Sequence, residues 1–134
     1  MNYWLVKSGP HEYTWDEFVE HGTDYWDGVR NYQARNNMKL MQKGDTVLFY
    51  RSVKKPAVVG IAEVAREHYQ DPTTDDQRWV AIDLKVVRPL ASEVPLKSIK
   101  ADDRLQNIAL IRQSRLSVMP LQKEEFDIIL SLSE

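Results

Sequence analysis

The chain has 134 residues, 43% of them hydrophobic and 28% charged, with a formal charge of −2, which fits a single globular domain and excludes a disordered or strongly basic protein. It contains no cysteine, which rules out a disulfide framework or a thiolate metal site. No basic segment followed by an apolar run opens the chain, and no stretch approaches the roughly 20 apolar residues of a membrane-spanning helix, so a cytoplasmic protein with no membrane association is expected.

In chain order, YWLVKS (Tyr3 to Ser8) reads as a first strand ended by the turn pair Gly9-Pro10. TWDEFVEHG reads as a short helix, with Thr14 as N-cap, Glu17 as its capping-box partner and Gly22 as the stop. NNMKLMQKGD predicts a second helix, capped by an Asn and stopped near Gly44, with Ala34, Met38 and Met41 on one core-facing side. Period-two patterning follows. TVLFYRS (Thr46 to Ser52) sets Leu48, Tyr50 and Ser52 against Val47, Phe49 and Arg51. AVVGIAEVA is another strand, with Gly60 a bulge or a close backbone approach. WVAIDLKVV turns Val80, Ile82, Leu84 and Val86 inward. RLSVMPL is a short last strand, and KEEFDIILSL a closing helix around Phe126, Ile129 and Leu130. Five or so strands with inserted helices predict an α+β fold, a small curved sheet or barrel in which closure brings the first and last strands together.

Charge is segregated. Glu12, Asp16, Glu17, Glu20, Asp24 and Asp27 precede a stretch carrying Arg30, Arg35, Lys39, Lys43, Arg51, Lys54 and Lys55 against Asp45 alone. Such runs are solvated faces or, on the basic side, a surface for phosphate. No Gly-rich phosphate loop, dinucleotide fingerprint or nucleophile elbow is present. His11, His21 and His68 lack zinc spacing, so no metal and no cofactor is expected. Trp15 and Trp79 read as core. Trp26 stands apart, because Asp27-Gly28 follows it and Arg30 and Asn31 come next. A Trp at such a turn suits the wall of a pocket for a flat ring. Asn31 offers a donor and an acceptor for a base edge, and Arg30 or Arg35 a phosphate contact.

YWLVKSGP, TWDEFVEHGTDYWDGVRNYQARNNMKLMQKGDTVLFYRS and RLSVMPL together resemble the EVE domain family over the whole chain, residues 1–134, as one domain. The resemblance implies a PUA-like β-barrel of about five to six strands with flanking short helices. It also implies kinship with YTH domains, which flip a methylated adenine of RNA into an aromatic cage. By that kinship the chain is a monomeric, non-catalytic reader of a modified base in DNA or RNA. Trp26 would be a cage wall. Lys7, Ser8, Arg30, Asn31, Tyr50, Ser52 and Ser117 would line the same cleft, and Arg35, Lys39, Lys54 and Lys55 would contact phosphates. Many relatives carry an acid where this chain has Gly9. Two other readings stay open: a hydrolase-like enzyme acting on a modified nucleoside in the same cleft, with Asp27 the one acid beside Trp26, and a protein-interaction module presenting the acidic helix.

Overall fold

The computed structural model describes residues 1–8 and 13–134; the expected Gly9-Pro10 turn and the residue that replaces the relatives' acid lie outside them. Twelve elements follow one another: β1 (Tyr3–Lys7), α1 (Trp15–His21), β2 (Thr23–Trp26), α2 (Tyr32–Leu40), β3 (Thr46–Arg51), β4 (Ala57–Gln70), β5 (Val80–Pro95), α3 (Leu96–Ala101), a 3-10 turn (Asp103–Leu105), α4 (Ala109–Arg112), β6 (Val118–Leu121) and α5 (Lys123–Leu132). The six strands form one mixed sheet in the order β2-β5-β4-β3-β1-β6. β1 runs parallel to β3 and antiparallel to β6, so the first and last strands do meet. Strand pairing does not close the sheet. Its edges are β2 and β6, and α2 packs against β6, β5 and β4, so a helix stands where a closed barrel would pair its last strands.

Local chemistry explains most boundaries. Thr14 accepts the Glu17 amide at 3.1 Å and caps α1, and Gly22 ends it at φ 76°. The second helix starts earlier than its apolar spacing suggests, because Asn31 accepts the Ala34 amide at 2.9 Å. β2 is a strand the patterning misses: four residues that pair with β5 from Thr23↔Lys85 to Trp26↔Ile82. Without that pairing its sequence carries no alternation to read. β4 and β5 outrun their expected ends because bulges re-aim both strands, with register shifts at Val58/Gly60, Ile61/Ala62, Val64/Arg66 and Arg66/Tyr69. Gly60 is both the bulge and the close approach: the Trp15 ring occupies the space a Cβ would need. Pro120 is tolerated in β6 because β6 is an edge strand.

The core is continuous. Trp4, Val6, Val47, Phe49, Phe18 and Trp26 belong to it, as do Met38 and Met41 as expected. Phe18 stacks on Phe49 at 5.8 Å, and Trp15 meets Phe49 edge-on at 5.4 Å, which ties α1 to the middle of the sheet. Buried Asp45 fixes β1 at its start, accepting from the Trp4 indole at 2.9 Å, the Asn2 amide at 3.1 Å and the Gln42 amide at 2.9 Å. The opposite end of β1, Lys7-Ser8, is thereby held in register with the end of β3.

Candidate nucleic-acid interface at the end of strand one

Backbone and serine hydroxyl hydrogen bonds gather five of the expected residues at this end. The Lys7 amide donates to the Ser117 carbonyl at 2.9 Å, and the Ser8 amide to the Tyr50 carbonyl at 2.8 Å. The Ser52 hydroxyl donates to the Ser8 carbonyl at 3.1 Å, and the Ser52 amide approaches the Ser8 hydroxyl at 3.4 Å. The Lys7 ammonium donates to the Ser114 carbonyl at 2.7 Å and lies 5.9 Å from the Tyr50 ring centre. Burial lowers the pKa of Lys7 and raises that of Tyr50.

Trp26 is elsewhere in this arrangement. It is only 7% exposed and meets Phe49 edge-on at 5.8 Å and Tyr13 at 6.1 Å. Phe49 and Tyr50 are neighbours on β3 and point to opposite faces. Trp26 and Lys7 therefore approach the end of β3 from its two sides and do not share a wall. Tyr13 links Trp26 to the surface. Its hydroxyl donates to Asp24 at 2.7 Å, and the same carboxylate oxygen meets the His21 Nδ1 at 2.8 Å. Burial, then the hydrogen bond to Asp24 and the charges of Asp24 and Glu17, push the Tyr13 hydroxyl far above the ordinary tyrosine range. Burial alone would raise the pKa of Asp24. The hydrogen bonds from Tyr13, His21 and the Tyr25 amide outweigh it and hold the carboxyl below its usual value. Asp27, next to Trp26, is raised by burial and by the charges of Asp71 and Asp24.

Two concavities flank the end of β1. The larger, about 780 Å³, is lined by Ser8, Tyr13, Trp15, Arg51, Val59 and Leu90, with Lys54, Lys55, Asp16 and Glu93 among its charged groups. Arg51 is not a free cation there, since both its terminal nitrogens bind Glu93, at 2.7 and 2.8 Å. The smaller, about 320 Å³, is lined by Asn31, Gln33, Arg112, Gln113, Ser114, Arg115 and Leu116. It carries no carboxylate in its described lining.

The expected basic surface divides between these places. Lys54 and Lys55 border the larger cleft, with Lys54 held at φ 65° in the turn between β3 and β4. Arg30 pairs with buried Asp71 at 3.0 Å and lies 5.5 Å from the Trp79 ring centre. Arg35 lies 4.9 Å from the Tyr32 ring and donates to Asn36 and to the Arg78 carbonyl. Lys39 is exposed in the last turn of α2 and lines neither concavity. Asn31 spends its side-chain oxygen on the helix cap and reaches the smaller concavity. Sequence patterning missed Tyr13, Arg112 and Arg115. Tyr13 sits in a short connection with no periodicity. The two arginines fall in a stretch, residues 96–116, whose short helical turns give too few repeats to read.

A mixed six-stranded sheet with short helices on its flanks and α2 packed against its β6 edge defines an α+β domain. The EVE domain pattern matches residues 2–132, and the chain belongs to that family. It is 35% identical to thymocyte nuclear protein 1 of Mus musculus over 99% of this chain and 74% of that protein. Among solved structures it is similar to human THYN1 in complex with DNA containing 5-methylcytosine, at TM-score 0.92 and 31% identity, covering 100% of this chain and 98% of that one. The YTH domain of Zygosaccharomyces rouxii MRB1, in complex with N6-methyladenosine RNA, shares the fold at TM-score 0.62 and 16% identity, over 99% of this chain and 86% of that one.

Proposed function

We propose that this domain binds nucleic acid and reads a modified base, without catalysis, at the end of β1. The observation that carries the reading is a cleft lined by Tyr13, Trp15 and Ser8, where Ser8 is held by the Tyr50 carbonyl and the Ser52 hydroxyl. The human relative's complex with DNA containing 5-methylcytosine supports it and makes that base the first to test. A base taken from a stack costs a few kcal/mol, and aromatic stacking at about 1–3 kcal/mol per base offsets much of that. Tyr13 lines the cleft and meets the Trp26 ring at 6.1 Å, so Trp26 acts as a cage wall only if Tyr13 turns aside. The Ser8 and Ser52 hydroxyls supply polar contacts to the base edge, while Asn31 lies at the smaller concavity and Arg30 is held by Asp71. Lys54 and Lys55 supply phosphate contacts.

The test is a binding titration with two otherwise identical oligonucleotides, one carrying 5-methylcytosine and one cytosine, against the wild type and Tyr13→Ala. A preference for the methylated strand is expected, worth about 1–3 kcal/mol for one methyl group, with a loss of about 5- to 150-fold in Tyr13→Ala. Equal affinity for both strands, repeated across a panel of other modified bases, sinks the reading.

A further inference from the structure

Beside the aromatic cleft, the smaller concavity has a one-sided charge. Arg112 is exposed, and its guanidinium donates to the Gln106 carbonyl at 3.0 Å and to the Asn107 side-chain oxygen at 3.2 Å. Arg115 is exposed, and among the described residues neither arginine lies in a salt bridge. Lys7, half-buried, binds the carbonyl of Ser114 in the same wall. The remaining lining is uncharged: the polar Asn31, Gln33, Gln113 and Ser114, with Leu116. Elsewhere Arg30 pairs with Asp71, Arg51 with Glu93, Arg78 with Asp76 and Arg104 with Asp102, while Arg66 and Arg88 are exposed singly on β4 and β5 and line neither concavity. Cations gathered around a polar hollow, without a carboxylate, raise the local positive potential and suit an anion of tetrahedral oxygens.

We infer that this concavity, through Arg112 and Arg115, binds the backbone phosphates of the strand that carries the base, on the side of β1 opposite the aromatic cleft. The inference rests on the reader function proposed above and adds the path of the strand. A strand placing its base against Tyr13 crosses the end of β1 and lays its next phosphates in the hollow. Arg112 is braced by α4's own neighbours, whereas Arg115 makes no side-chain hydrogen bond among the described residues. Phosphate contacts position a strand and carry no base information. These two arginines therefore set affinity and salt dependence, and not the choice of base.

The experiment measures the affinity of single-stranded nonamers, one with a central 5-methylcytosine and one with cytosine, over a salt series, for the wild type, Arg115→Gln and Arg112→Gln/Arg115→Gln. For single strands each phosphate contact contributes about 0.7 to the slope of log K against log salt, so the double variant should lose about 1.4 and the single variant about half of that. The ratio between the methylated and plain nonamers should stay at its wild-type value in both. Arg115→Gln guards against misfolding, since that side chain holds nothing in the fold. Wild-type slope and affinity in both variants, with the base preference intact, overturn this site and leave the reader function standing. Loss of slope in the variants without any base preference in the wild type keeps the phosphate site and removes the base reading. Absence of nonamer binding by the wild type sinks both.

Discussion

The two concavities beside β1 share a strand end and differ in every other respect. In the larger, aromatic rings face a space whose charges are mixed: Lys54 and Lys55 stand near Asp16 and Glu93, and Arg51 is tied down. In the smaller the described lining has no aromatic ring and no acid, only amides, a serine, a leucine and two arginines. A flat uncharged ring gains from the first, where apolar contact and stacking dominate. A phosphate gains from the second, where nothing negative competes for the guanidinium groups. One surface therefore separates recognition from attachment, and variants of each half should move different observables.

The largest expected effect is on the aromatic half. Trp26→Ala empties a position in the middle of the core and should cost about 3–5 kcal/mol of stability, read by denaturant unfolding. A loss under about 1 kcal/mol would mean that Trp26 is not the packing residue its 7% exposure indicates.

Next comes the support of the polar half. Asp71 accepts from the Gly28 amide at 2.9 Å, from Arg30 at 3.0 Å and from Thr73, and so anchors the turn that starts α2. Asp71→Ala should cost about 3 kcal/mol, near the low end for a broken buried pair because the arginine reaches solvent. Burial raises the Asp71 pKa, but the bonds from Thr73, Gly28 and Arg30 outweigh it and set it below the usual carboxylate value. Its stabilisation is thus present above the unfolded-state pKa, about 4, and lost as pH falls through the lower folded value. Wild-type stability should fall with acid over that window, and the Asp71→Ala protein should fall less.

A smaller effect tests the wall of the aromatic cleft. Gly60→Ala places a methyl group in the space of the Trp15 ring, and the displaced indole should cost about 1–3 kcal/mol. Unfolding curves of this variant at wild-type midpoint would show that the ring yields freely. The smallest effect is at the Tyr13 hydroxyl. Tyr13→Phe removes its bond to Asp24 and keeps the ring, so stability should drop by about 1 kcal/mol with base affinity nearly unchanged. A large affinity loss would make the hydroxyl, and not the ring, the contacting group.

The sequence by itself determined the elements whose chemistry is local. The Thr14 cap, the Gly22 stop, the strand after Gly44-Asp45 and the core face of α2 at Ala34 and Met38 each depend on neighbours a few residues away, and each is present. So is Gly60, because only a missing side chain marks a close approach. The unusual WDGVRNYQARNN block was legible as a special stretch, but its residues disperse. Trp26 goes to the core, Arg30 to Asp71, Asn31 to a helix cap and Arg35 to the Tyr32 ring. Only tertiary structure decides this, since each partner except the Asn31 cap and Tyr32 comes from a distant strand or loop. The same holds for β2, which exists because β5 is beside it. It holds too for the polar hollow, which joins the start of α2 to residues 112–116 across some eighty positions of chain. Local rules write caps, turns and alternation, while a binding surface is an accident of which distant segments the core brings to one end of a strand.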